Sequence, residues 1–171
     1  MNIIEYDKKY DEQIKDLLVE LQEHLIEIDD WNTQLMKKDY REENYNIDMR
    51  KVKNQQGKIY LAEQDEKIVG LVIGVIEKID EIDIITNDCA KTGTVLELVI
   101  SKEYRGSGIG KILLRNIEEY FESIGCQRIS IEVFGPNTSA YNFYRKNGYV
   151  NRDIFVSKKL DDKPGEGKAV E

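Results

Sequence analysis

The stretch 104–111, Y-R-G-S-G-I-G-K, constrains this chain more than any other, because it joins an apolar strand-like run at 96–100 to a helix-like run at 112–124. Glycines at alternate positions leave little side-chain bulk. Successive N–H groups can therefore converge on an anion while the positive end of the following helix faces it. An ordinary strand-to-helix turn would use the same glycines, and the segment alone does not separate the two readings. Spacing excludes two phosphate-binding patterns. G-x-G-x-x-G counted from Gly106 and Gly108 meets Lys111 where its third glycine belongs. G-x-x-x-x-G-K-[ST] ending at Gly110 and Lys111 meets Arg105 in place of its first glycine and Ile112 in place of Ser or Thr. The pattern [QR]-x-x-G-x-[GA] does fit, as Arg105-x-x-Gly108-x-Gly110.

A chain of 171 residues is long enough to bury a core without staples, and one domain over 1–160 with a flexible tail at 161–171 is expected. Cys89 and Cys126 lie far apart with no metal-ligand partner nearby, which reads as reduced thiols, no bound metal and a cytoplasmic setting. The N-terminus has no basic region or secretory core, and the longest apolar run, 68–76, is too short to cross a bilayer, so no membrane partner is expected. A net charge of −8 argues against nucleic acid. The acid is unevenly placed. Residues 20–48 hold nine acidic against three basic side chains, a local charge of −6, and residues 77–88 hold five against one, or −4. Such patches attract cations, although each also reads as plain solvated surface.

Taken in order, residues 2–6 read as a strand, and Ile14, Leu17, Leu18, Leu21, Leu25 and Ile28 recur at helical spacing with one buried face. His24, the single histidine, lies at the edge of that face, which makes hydrolase triads and histidine-rich metal sites improbable. Residues 31–56 are polar with a weak helical period and read as a helix or helix pair able to cap a pocket. Residues 58–64 and 67–76 flank Asp65 and Glu66 as a hairpin, and the second strand, apolar nearly throughout, belongs in the middle of a sheet. A loop is expected over 80–91, though Ile82, Ile84 and Ile85 would allow the strand to continue. Strands follow at 94–100 and 128–134, then a short helix at 139–146 and a last strand at 149–160. Strands and helices in this order indicate an α/β (α+β) mixed sheet with helices on both faces.

A second constellation stands downstream, Asn137-x-x-Ala140-x-x-Phe143-Tyr144-x-x-x-Gly148-Tyr149. Alone it is a small helix with an aromatic stripe. Following R-G-S-G-I-G at this distance, it is similar to the second half of the signature of the GNAT superfamily of N-acetyltransferases, whose acetyl-CoA motif the 96–114 segment resembles. The resemblance covers nearly the whole chain in element order, but its specific residues lie in 96–149. Ser101 and Lys102 stand where that family often has proline.

The resemblance implies a mostly antiparallel sheet of six to seven strands flanked by about four helices, with the fourth and fifth strands splayed. It implies acetyl-CoA as cosubstrate, with the backbone of Leu98, Val99 and Ile100 holding the pantetheine arm as an added strand. Arg105, Gly106, Ser107, Gly108, Ile109, Gly110 and Lys111 would grip the pyrophosphate, Asn137 would touch the pantetheine, and Tyr144 would direct its hydroxyl at the sulfur. An amine acceptor must lose a proton before attacking a thioester, since its pKa lies near ~10.4. Glu132, on the strand five residues before Asn137, and Glu97, on the neighbouring strand, are the candidate bases, and each also reads as an ordinary polar side chain. The expected activity is transfer of acetyl to a primary amine, favouring a small cationic one, by direct attack in a ternary complex. A protein lysine or N-terminal amine as acceptor, and a non-catalytic acyl-CoA sensor, are the rival readings; a homodimer is compatible with any of them.

Overall fold

The computed structural model describes residues 1–79, 81–86 and 88–160. One sheet of five strands runs in spatial order β1 (Asn2–Glu5), β2 (Lys58–Gln64), β3 (Lys67–Ile76), β4 (Thr92–Ile100) and β5 (Arg128–Ile131). The first four pair antiparallel and β5 joins β4 in parallel. Two helices, α1 (Asp11–Ile28) and α2 (Tyr40–Asn54), cover one face; α4 (Ile109–Ser123) and α5 (Thr138–Lys146) belong to the other. The β2–β3 hairpin turns at Asp65 and Glu66 as its sequence indicates, both with positive φ. Strand β3 is buried along nearly its whole length, because helices cover it on both sides.

Each face has its own core. Ile14, Leu17 and Leu18 of α1 meet Ile59, Leu71 and Ile73 of the sheet, whereas Leu113, Leu114, Ile117 and Phe121 of α4 meet Val69, Val72 and Val95. Burying an apolar side chain of this size is worth roughly 1.5–3 kcal/mol, so α4 is held mainly by its four fully buried inward residues. Phe121 can lie against the sheet because Gly74 and Gly93 have no side chains there. A Cβ built on Gly93 would fall 2.5 Å from the Phe121 ring, and one on Gly74 would fall 2.6 Å from Phe121 Cζ.

The polar segment after α1 is anchored rather than loose. Asp29, which is buried, accepts hydrogen bonds from the N–H groups of Trp31 (3.0 Å), Thr33 (2.6 Å) and Gln34 (2.7 Å) and from the Thr33 hydroxyl (2.8 Å). Helix α2 is then clamped to α1. Lys15 pairs with Glu12 at 2.9 Å and with Glu42 at 2.8 Å, and Arg41 pairs with Asp16 at 2.8 Å. Beneath them Tyr6 donates to Asp11 at 2.8 Å, and its oxygen lies 3.2 Å from that of Tyr45. Exposed pairs are individually weak, but this network joins two helices around a buried lysine and a half-buried arginine.

Several expectations are corrected. The sheet has five strands among the described residues, not six or seven. The strand expected over 149–160 is absent: residues 150–159 are irregular, with Val150, Ile154, Phe155 and Val156 exposed. Alternating residues there carry strand propensity, but propensity needs a ladder partner, and the segment has none among the described residues. Only 40–54 of the 31–56 segment is helical, because Asp29 holds the preceding residues in a non-helical loop. Part of the expected 80–91 loop winds into the short α3 (Glu81–Thr86). The strand expected over 128–134 ends at Ile131, so Glu132 lies just past it. The tail expected at 161–171 lies outside the described residues.

The packing of Phe121 against two glycines generates a test. Phe121→Ala should cost about 3–5 kcal/mol of unfolding free energy and Gly93→Ala about 1–3 kcal/mol, both read from urea denaturation. A Gly93→Ala protein as stable as wild type would mean that the ring does not hold this position.

Candidate active site

The β4–β5 ladder stops early. It pairs Thr92 with Arg128 and continues to Val95 with Ile131, after which β5 ends while β4 runs on to Ile100. Leu98, Val99 and Ile100 remain paired to Val72, Leu71 and Gly70 of β3 on one side only. Their other edge presents main-chain groups to whatever enters the gap, the situation in which an extended ligand adds as a strand. The expected splay between the fourth and fifth strands is thus present.

At the far end of that edge the chain makes a 3-10 turn, Lys102–Tyr104, and enters the glycine segment. Gly106 has φ of 77° and Gly108, the residue capping α4, has φ of 88°. Both conformations favour glycine, and a Cβ at either would meet nothing within 4 Å, so the constraint is conformational and the space outside is open. The carbonyl of Gly108 accepts from Lys111 at 3.1 Å and Ile112 at 3.3 Å, and no backbone hydrogen bond engages the N–H groups of Gly106, Ser107 and Gly108 among the described residues. Free N–H groups at the positive end of α4 suit a diphosphate. Arg105 is turned elsewhere, its Nε donating to the Ile100 carbonyl at 3.1 Å and its guanidinium 3.8 Å from Glu20. Glu20 also accepts from the Lys102 N–H. Between α1 and this turn lies a cavity of about 340 Å³, lined by Glu20, Glu23, His24, Glu27, Lys102 and Arg105.

Glu97 reaches the site through a β-bulge. The β3–β4 register passes from Ile73 opposite Glu97 to Gly74 opposite Val95, which leaves Leu96 as an extra residue. Side-chain parity changes there. Val95 packs on the α4 side, Leu96 and Val99 on the α1–α2 side, and Leu98 and Ile100 again on the α4 side. Glu97 follows its partner Ile73 and faces α2. Burial and the nearby Asp48 charge push it up to about 8, against a smaller lowering by Lys51.

Tyr144 of α5 packs with the core on the α4 side of the sheet. Its ring makes edge contacts with Phe143 at 5.2 Å and Tyr149 at 5.6 Å, and burial followed by the Glu97 charge raises its phenol. Asn137 is the N-cap of α5, its Oδ1 accepting from Ala140 N–H at 3.1 Å and from the Ser139 hydroxyl at 2.9 Å. Only its Nδ2 is left for a ligand. Glu132 is exposed just beyond the end of β5.

Sequence reasoning missed two members of this cluster. Asp48 of α2 is 3 % exposed, and its Oδ2 has no hydrogen-bond partner. Burial raises it to about 6 in spite of Lys51. Tyr40, at the start of α2, is pushed up to about 12 by burial and by the charges of Glu97 and Asp48. The signal existed: Tyr45, Asp48, Met49 and Val52 share one helical stripe, and an aspartate in an inward stripe is out of place.

Comparison with known proteins agrees with this geometry. Residues 18–149 match the model of the acetyltransferase (GNAT) family, and the chain belongs to that family. An uncharacterized N-acetyltransferase of Methanocaldococcus jannaschii is 33% identical over 96 residues, 56% of this chain and 54% of that protein. The glucosamine 6-phosphate N-acetyltransferase of Arabidopsis thaliana is 28% identical over 74 residues, 43% of this chain and 48% of that protein. The matches to these curated relatives span about half their length. Among solved structures, a mutant of the BH1408 protein from Bacillus halodurans superposes with a TM-score of 0.79 at 18% identity, covering 94% of this chain and 99% of that one. No helix among the described residues is long and apolar enough to cross a membrane.

The elevated carboxyl of Glu97 makes stability depend on pH. The folded state keeps its proton between the ordinary value of 4.5 and about 8, where the unfolded state has lost it, so this group's contribution falls as pH rises through that window. Glu97→Gln should therefore gain melting temperature relative to wild type as pH is raised from 5 to 9, by about 2–4 °C for each kcal/mol involved. A constant difference across that range would contradict the raised carboxyl.

Proposed function

We propose that the chain transfers the acetyl group of acetyl-CoA to a primary amine, favouring a small cationic acceptor, by direct attack in a ternary complex. The observation that carries this reading is the free edge of β4 beyond Val95, which runs directly into the glycine turn capping α4. When bound, acetyl-CoA supplies a thioester, an acyl group ready for attack by nitrogen. Leu98, Val99 and Ile100 orient its pantetheine arm through main-chain groups, with one amide proton contact from Asn137. The N–H groups of residues 106–110 and the Lys111 side chain hold the pyrophosphate.

The proton balance defines what the side chains must do. An ammonium acceptor gives up two protons on becoming an amide; the coenzyme A sulfur recovers one and solvent receives the other. Glu97 takes the first proton, converting ammonium to the attacking amine. Its raised pKa suits that task, because a base near 8 retains affinity for a proton that a carboxylate in water would scarcely hold. Tyr144, held protonated by burial and the Glu97 charge, donates its phenolic proton to the departing sulfur and recovers a proton from the nitrogen as the amide forms, while the proton on Glu97 passes to solvent. Such acid–base help is typically worth ~10²–10⁴ in rate. Glu132, exposed beyond the end of β5, is the weaker base candidate.

The Arabidopsis relative is named for an amino sugar carrying phosphate. In this chain the carboxyls of Asp48 and Glu97 oppose that charge and favour a cation.

Free-thiol release from acetyl-CoA, measured with a panel of amines, tests the reading. Tyr144→Phe should lower turnover by ~10²-fold or more while acetyl-CoA affinity changes no more than a few-fold. For wild type, kcat/KM should climb through pH ~8 as Glu97 loses its proton. Glu97→Gln should lose that limb and Glu132→Gln should keep it; the opposite result would transfer the role to Glu132. Gly108→Val strains a positive φ and fills the space outside the turn, so acetyl-CoA should no longer raise its melting temperature. An unchanged ligand-induced rise would remove the diphosphate cradle.

A further inference from the structure

We propose, resting on the acetyl-transfer reading, that Asp48 selects the acceptor: together with Glu97 it forms a two-carboxyl seat for an ammonium group, taking small diamines and refusing acceptors that carry phosphate.

Helix α2 presents Tyr45, Asp48, Met49 and Val52 inward, and three of these four are what an inward stripe requires. Asp48 is the exception. It is 3 % exposed, and its Oδ2 lacks any hydrogen bond. An ionised carboxylate in that condition costs stability that an apolar side chain of similar size would not. No capping or turn function accounts for it, because Asp48 lies in the middle of the helix. Nor does an ion pair: the salt bridges of α2 run through Arg41 and Glu42 at its N-terminal end.

The groups acting on Asp48 and Glu97 define the seat. Lys51, one turn along α2, is the cation that lowers both carboxyls, and its effect is smaller than that of burial. Tyr40 of α2 feels both carboxyls, and Tyr144 of α5 feels Glu97. The cluster therefore contains two carboxyls and two phenols, with Lys51 as the opposing charge. An ammonium group donates three hydrogen bonds and carries the charge the pair lacks, whereas a phosphate would meet like charge at low dielectric. Division of labour follows from position. Glu97 borders the open edge of β4, where the thioester lies on the acetyl-transfer reading, and takes the proton of the reacting amine. Asp48, on α2, keeps its ammonium partner and acts through binding.

The test uses the full chain with 1,4-diaminobutane as cationic probe and glucosamine 6-phosphate as phosphate-bearing probe, each measured by calorimetric binding in the presence of coenzyme A and by thiol release from acetyl-CoA. Wild type should bind the diamine and not the amino sugar phosphate. Asp48→Asn should weaken diamine binding tenfold or more and raise its KM, with kcat within about threefold and the coenzyme-A-induced melting shift intact. Asp48→Glu should restore affinity to within about threefold. Melting at pH 8 separates this from a structural role, because removing an unpartnered buried charge should leave Asp48→Asn at least as stable as wild type. Should Asp48→Asn fail to fold, Glu97→Gln carries the test and should also weaken diamine binding. Unchanged diamine affinity in the folded variants, or a wild type that binds the phosphate probe in preference, would overturn the assignment. If diamine binding depends on Asp48 but no thiol is released, the seat stands and the acetyl-transfer reading fails.

Discussion

The end of the β4–β5 ladder at Val95 and Ile131 is the constraint from which the rest of the site follows. Two parallel strands that stayed paired would consume each other's main-chain groups and leave no room for a ligand between them. Because β5 stops after four residues, β4 continues for five more with one edge unsatisfied. An unpaired edge in a sheet interior is costly unless something pairs with it. The same strand then delivers the chain into the glycine turn, so the free edge and the free N–H groups of the helix start lie on one continuous path.

The bulge at Leu96 decides which chemistry that path meets. Without the extra residue, simple alternation would aim Glu97 at the α4 side, into the cluster of Leu113, Ile117 and Phe121. With it, two successive residues face the α1–α2 side, and Glu97 comes under the influence of Asp48 and Lys51 while still acting on Tyr144. One inserted residue thus changes a carboxylate from a core defect into a group poised between a helix and an opening.

What could be read from the sequence was what is local. The glycine turn, the α4 stripe, the Asp65–Glu66 hairpin and the buried character of β3 each depend on neighbours a few residues apart. The features that escaped depend on partners far along the chain. Residues 149–160 have strand-like alternation, but a strand exists only where a ladder does. The bulge that turns Glu97 is visible only in the register with Ile73 and Gly74. Asp48 looked like one acidic residue among many between 20 and 48, and its significance depends on how α2 is held. The sequence signal that marks it is its place in the inward stripe of Tyr45, Met49 and Val52.

The position of α2 is itself a product of charge. Lys15 and Arg41 bind its first turn to α1, and Asp29 fixes the loop that leads into it. These contacts oppose the cost of burying Asp48, whose charge raises the proton affinity of Glu97, so that the fold loses stability as both ionise. A chain selected for stability alone would place an apolar residue at 48 and glutamine at 97. Retaining both acids next to an open strand edge leaves charge there without a partner in the fold, and on the proposed reading the arrangement that weakens the empty protein is the one an ammonium from outside would relieve.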